Sequence, residues 1–287
     1  MPLALLKPEH LQRLYSDKTT NGRHNGKGGL GNRSVRYIHT TIHCALKHAM
    51  KLGMISRNPA DAVEVPTVPK REMRTMDEAD IKTILEYAKS TPYYALFHTA
   101  IFTGMRRSEL LALRWQDLDL LLCQIYICRA LHQLHNRQLI FRQTKTAISR
   151  RSIALSPSAA IVLREHKEAK RKIKESLGIT LTDDDLVFSH PDGNPLLPDS
   201  ITQAWRNLTK RVGLNGVRFH DIRHTHASLM LKAGTHPKIV QERLGHASIQ
   251  ITLDTYSHVA PGLQEAAAAG FDKMVLPMRE KVVVENS

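Results

Sequence analysis

Three things are scarce in this 287-residue chain: acidic residues, cysteines and long apolar runs. No stretch approaches the ~18 consecutive apolar residues of a membrane-spanning helix, which argues against a membrane partner. The opening MPLALLKPEH places Lys7 and Glu9 where a secretory signal would extend its apolar region, so a cytoplasmic location is expected. Cys44, Cys123 and Cys128 are odd in number and spaced for neither a disulfide framework nor a zinc ribbon. They read as reduced, buried thiols without a role in function. Only 27 Asp and Glu offset 41 Lys and Arg, leaving a net charge of +14. Such an excess favours a polyanion, because each phosphate neutralised by a cation releases condensed counterions; nucleic acid comes before an anionic lipid surface.

What is present suffices for a folded protein. Hydrophobic residues make up 42% and charged residues 24% of the chain, ordinary values for a globular protein, and the length suits one large or two modest domains. The first 62 residues or so read as helical, with Pro8 at a helix start and a glycine-rich interruption over 19–31. A long helix is predicted from Ser34, its apolar face formed by Val35, Ile38, Ile42, Ala45, Leu46 and Ala49. VEVPTVPKREMR has no helical period and reads as a linker. The expected division is a small helical domain over 1–68, a linker over 69–75 and a larger domain over 76–287.

In the larger domain, helices are predicted over 78–89, 93–102, 108–113, 157–177, 200–212, 220–233 and 237–244. Between 118 and 155 the segments QIYICRA, RQLIFRQ and SRRSIAL are short and alternating, and read as a small antiparallel sheet. The fold class is therefore mainly α with a small antiparallel sheet (α+β).

The chemistry-bearing residues gather late in the chain. VRFHDIRHTHASLMLKAGTHPKIVQERLGHASIQITLDTYSHV holds His220, Arg223, His224, His226, His246 and Tyr256, and TGMRRSELLAL and QTKTAISRR add Arg106 and Lys145. On one helix His220, Arg223 and His224 share a face. HDIRH also invites comparison with the zinc helix HExxH, but Arg223 would aim a permanent cation at the metal, Asp221 is short for the Glu, and no third ligand is specified. The other residue types suit a metal-free attack on a phosphodiester. A tyrosine hydroxyl, with a reference pKa of roughly 10, becomes a nucleophile when its proton is accepted and the developing charge is stabilised. Arginines can clamp the non-bridging oxygens, and imidazoles can move protons or donate hydrogen bonds.

With TGMRRSEL, QTKTAISRR, HDIRH, LGHAS and DTYSH in order, the chain resembles the tyrosine recombinases of the phage integrase family. The motifs cover about residues 75–260, and NRSVRYIHTTIHCALKHAMKLGMISRNPA extends a looser likeness to a helical DNA-clamping domain. The resemblance implies a recombinase catalytic domain behind that clamp, which is shorter here than is usual: the chain is either truncated or of a compact branch. It implies that Arg106 and Arg223 bind the scissile phosphate, with T-G-x-R selecting Arg106 over Arg107. Tyr256 would form a 3′-phosphotyrosyl bond, Lys145 protonate the leaving 5′-oxygen, His220 act as acid or base, and His246 bond a phosphoryl oxygen. Glu109 would help to order the site, while His224 and His226 fall outside the mechanism. No metal, ATP or other cofactor is implied. The implied partners are double-stranded DNA sites, three further copies of the chain in a tetramer, and accessory DNA-bending or excisionase proteins, at the nucleoid of a bacterial cytoplasm. The tail beyond Tyr256, with QEAAAAGF and the MVLP and KVVV patches, would dock onto a neighbour in trans or fold back in cis. A type IB topoisomerase and a non-catalytic DNA-binding regulator remain as alternatives.

Overall fold

The computed structural model describes residues 2–69, 74–134, 136–143, 150–256, 268, 271–272 and 274–275, with side chains of the unbroken stretch up to 253. Lys145 lies outside the described residues, as does most of the tail; Tyr256 is described in its backbone only. Among the described residues no helix is long and apolar enough to cross a membrane. Two compact units are present, Met1–Glu72 and Met73–Ser287.

The first unit is built on α1 (Pro8–Asn21) and α2 (Asn32–Lys51), followed by a 3-10 turn over Pro59–Ala62. Pro8 sits in the first turn of α1, where a missing N–H costs no helical hydrogen bond. Leu11 and Tyr15 of α1 meet Val35 and Leu46 of α2 around Ala60 in a separate small core. The apolar face of α2 is narrower than its sequence suggests. Ala45 is exposed, because steps from Val35 through Ile38, Ile42, Leu46 and Ala49 follow the 3.6-residue period and leave Ala45 on the flank. The opposite face exposes Arg33, Arg36, Lys47 and Lys51.

In the second unit α3 (Glu78–Ala88) starts from a capping box in which Asp77 accepts from the Asp80 N–H at 2.8 Å. α4 (Tyr94–Thr103) is buried almost all round, as expected of a helix apolar on every side, and packs against α3, α6 (Pro157–Ser176) and α8 (Phe219–Lys232). Trp115, Trp205 and Phe97 are the largest side chains of the core around it, each worth roughly 1.5–3 kcal/mol of apolar burial. α4 ends at Gly104 with φ 64°. A Cβ there would lie 2.7 Å from Leu244 Cδ2 and 2.8 Å from His226 Cδ2, so both conformation and space require glycine. α5 (Arg107–Leu110) follows, and α7 (Pro198–Arg211), α9 (Pro237–Leu244) and α10 (Ile249–Tyr256) come later in the chain.

Where one sheet is expected, the described residues form two. β1 (Leu118–Asp119), β2 (Gln124–Ile127) and β5 (Arg151–Ala154) make a three-stranded antiparallel sheet in the order β1-β2-β5, while β3 (Arg129–Gln133) and β4 (Leu139–Gln143) form a separate hairpin. QIYICRA is thus not one strand: it breaks at Cys128, with Ile127 facing Arg151 and Arg129 facing Gln143. The cysteines also depart from expectation. None forms a disulfide, but Cys44 is exposed, and Cys123 and Cys128 are only half-buried. Cys44 belongs to the outer face of α2, away from the Val35–Leu46 stripe that meets α1.

Candidate active site

Arg106 and Arg223 come from opposite ends of the second unit's sequence and converge on one feature, the carboxyl end of α9. Arg106 caps the start of α5, directly after the Gly104 turn. Its Nη1 donates to Glu109 Oε1 at 2.8 Å and its Nη2 to the Gly245 carbonyl at 2.9 Å. Arg223, buried on α8, donates through Nη1 to the Gly104 carbonyl at 3.0 Å and through Nη2 to the Leu244 carbonyl at 2.6 Å. Two consecutive carbonyls at the negative end of a helix therefore hold two guanidinium groups. Gly245, with φ 67°, turns the chain away immediately afterwards and presents His246. His246 Nδ1 lies 2.8 Å from Thr252 Oγ1. Thr252 is fully buried and stands one helical turn before Tyr256 on α10, which ties the tyrosine-bearing helix to the same corner.

Arg106, Arg223 and His220 line a cleft of about 470 Å³ together with Arg107, Ser108 and Arg218. The His220 and His224 rings meet edge to face at 4.8 Å. Burial, and then the positive charge of Arg223, lowers the pKa of His220. Burial, Arg223 and Arg106 bring His246 down to about 4. Both are neutral at pH 7 and can accept as well as donate a proton, whereas the arginines stay charged. Electrostatically the cleft is a cationic socket with the neutral imidazole of His220 in its lining. As a metal helix HDIRH has the wrong company: Arg223 lies on the His220 face, and among the described residues no three His, Cys, Asp or Glu side chains group as a metal site.

The neighbours sort cleanly. Arg107 turns away from Arg106 and donates to the Pro198 carbonyl at 2.9 Å and to Thr202 Oγ1. His226 is a strut: Nδ1 lies 2.9 Å from the Ile101 carbonyl and must carry the proton, so Nε2 accepts from Arg243 Nε at 3.0 Å. Burial and Arg243 lower its pKa to about 4, consistent with that neutral tautomer. Glu109 is only 3% exposed; burial raises its pKa, but the hydrogen bonds and charge of Arg151, with Arg106, outweigh this and hold it below the usual carboxylate range.

With the geometry established, likeness to known proteins is decisive. A family model described as the phage integrase family matches residues 74–262. The chain belongs to the phage integrase family. It is a tyrosine site-specific recombinase. The ICEBs1 integrase of Bacillus subtilis (strain 168) is 28% identical over 272 residues, covering 94% of this chain and 73% of that protein. The integrase of Salmonella phage P22 is 28% identical over 237 residues, covering 79% and 54%. Among solved structures, the Tn1549 transposon integrase in complex with a circular intermediate DNA superposes with a TM-score of 0.76 at 20% identity, covering 95% of this chain and 87% of that one. A lambda integrase tetramer bound to a Holliday junction gives a TM-score of 0.59 at 20% identity, covering 91% and 67%. At such identities the structures establish the fold.

Two residues of the recombinase's site escape the sequence reading. Arg151 forks onto Glu109 with Nη1 at 3.1 Å and Nη2 at 2.8 Å, and Arg243 bonds the carbonyls of Ala154 and Phe102 as well as His226. A signal for Arg151 existed: on a strand it shares a face with Ile153, which is buried, so period-two alternation points the arginine inward.

Proposed function

We propose that this recombinase breaks and rejoins DNA strands at specific sites through Tyr256, integrating and excising a phage or other mobile element. Tyr256 Oη attacks the scissile phosphorus while Arg106 and Arg223 hold the non-bridging oxygens. The bond to the 5′-oxygen breaks, Lys145 supplies the proton that makes it a 5′-hydroxyl, and a 3′-phosphotyrosyl bond forms. His220 receives or returns the tyrosine proton, and His246 donates to a phosphoryl oxygen. Attack by an incoming 5′-hydroxyl reverses these steps on a new strand, so the energy of the linkage is kept and neither ATP nor a metal is called for. The single observation that carries the reading is the seating of both arginines on consecutive carbonyls of the α9 terminus, with His246 next in the chain. The donors are fixed before the phosphate arrives, which is how electrostatic stabilisation becomes selective for the transition state.

The exposed basic face of α2 supports a DNA-clamping role for residues 1–68, joined through 69–75 to a catalytic domain over 76–287. Strand exchange needs several such sites, and the lambda integrase tetramer on a Holliday junction supports a homotetramer on two double-stranded DNA sites, assisted by DNA-bending or excisionase proteins at the nucleoid of the bacterial cytoplasm. A nicked duplex carrying the element's own attachment site should trap a covalent protein–DNA adduct on a denaturing gel, and Tyr256→Phe should abolish it. An adduct that persists in the variant, or none with the unaltered chain, rejects the proposal. Relaxation of supercoiled DNA lacking any attachment site, without recombinants, would indicate a topoisomerase instead.

A further inference from the structure

We propose that Arg151 is a positioning residue of the phosphate clamp, acting on Arg106 through Glu109; the inference rests on the recombinase reading above. Glu109 Oε1 accepts from Arg106 Nη1 at 2.8 Å and from Arg151 Nη1 at 3.1 Å. Its Oε2 accepts from the Arg106 backbone N–H at 2.9 Å and from Arg151 Nη2 at 2.8 Å. Every lone-pair direction of the carboxylate is thus used, one per arginine on each oxygen, and the plane of the carboxylate is fixed from both sides. Arg151 is itself held, since its Nε donates to the Arg243 carbonyl at 2.7 Å and its side chain packs on Gly245, where a Cβ would come within 2.9 Å of it. One side chain therefore braces the acid that orients Arg106 and packs on the residue whose carbonyl receives Arg106 Nη2.

A buried ion pair is by itself weak evidence for anything beyond structure, since desolvation offsets its attraction. The third partner makes this one different. The Arg151 and Glu109 side chains are 6% and 3% exposed, while that of Arg106 is 37% exposed and faces the cleft. Two guanidinium groups on one carboxylate leave a unit of positive charge, and its exposed end is at Arg106. Without Arg151, Glu109 would neutralise Arg106 one to one and be free to pull it from the phosphate. With it, the acid orients the clamp without cancelling its charge.

Arg151 also stands two positions after the QTKTAIS segment that carries Lys145, so action through the general acid must be distinguished from action through the clamp. The test measures single-turnover adduct formation on a nicked attachment-site duplex whose scissile 5′-bridging atom is oxygen or sulfur; a thiolate leaves without needing a proton. Arg151→Gln should slow adduct formation about 100-fold on both substrates while DNA affinity changes by less than about threefold. Arg151→Lys, which keeps the charge but loses the fork, should recover only part of the rate. In a Glu109→Gln background the Arg151→Gln effect should largely vanish, as the two act as one unit. This cycle compares variants that both lack the buried pair, so lost stability does not mimic the result. Restoration of the Arg151→Gln rate by the sulfur substrate, or additivity in the cycle, would overturn the proposal. Absence of a Tyr256-dependent adduct from the unaltered chain would instead overturn the recombinase reading and this inference with it.

Discussion

The two halves of the proposed phosphate clamp reach the same corner by different physical means. On the α8 side, Arg223 is 4% exposed and anchored by main-chain carbonyls of Gly104 and Leu244, on a helix propped by His226 and Arg243. On the α5 side, Arg106 has a 37% exposed side chain and leans on Glu109 and, through it, on Arg151. Carbonyl anchors offer partial charges that leave a guanidinium fully cationic; a carboxylate anchor orients more strongly but needs a second cation to keep the site positive. Fold and chemistry are therefore harder to separate on the Arg223 side than on the Arg106 side.

The largest expected effect tests that asymmetry. Arg223→Ala should lower adduct formation by about a thousandfold or more and also destabilise the domain. Each buried carbonyl left without its donor costs about 1–3 kcal/mol. Arg106→Ala should cost a comparable factor in rate with a much smaller fall in melting temperature, because Glu109 keeps Arg151 as a partner. Equal losses of melting temperature would show that the α5 side is as integral to the core as the α8 side.

Acid should dismantle the two sides in sequence. The pKa values of His226 and His246 are held at about 4 by burial and then by neighbouring arginines, against an ordinary value of 6.5. A lowered histidine pKa means that the unfolded chain binds more protons, so these contributions are complete above pH 6.5 and are lost as pH falls toward 4. Glu109 is depressed below 4.5, so its contribution holds above that value and fails only at lower pH. Melting temperature should fall as pH is lowered from 6.5 to 4.5, and His226→Gln should flatten the slope. An unchanged slope in that variant would remove His226 as the acid-sensitive strut.

The two sides were also unequally legible in the sequence. The helix ends near Gly104 and Gly245 and the shared face of His220 and Arg223 follow from local rules of capping and period, whereas α5 starts at Arg107 and ends at Leu110 where a helix over 108–113 is expected. The fork of Arg151 on Glu109 spans 42 positions and the Arg106 bond to Gly245 spans 139; no local period encodes either partner. Two sheets look like one in the sequence because a strand that continues past Cys128 has the same pattern whichever neighbour its halves choose, and partner choice is made by tertiary packing. The sequence pattern puts Ala45 inside because a three-residue step also suits an apolar stripe, and only packing against α1 decides how wide that stripe is.

The smallest expected effect concerns the residue that sequence alone most readily confuses with the clamp. Arg107 adjoins Arg106 and lines the same cleft, yet it joins α5 to α7 through the Pro198 carbonyl and Thr202. Arg107→Ala should cost about 0.5–1.5 kcal/mol of stability, the usual net worth of such a hydrogen bond. Adduct formation at saturating DNA should stay within about threefold, less than about 1 kcal/mol of barrier. A loss matching that of Arg106→Ala would mean that the phosphate is held by adjacent arginines on one loop, and the two-sided clamp would have to be redrawn with Arg223 as support.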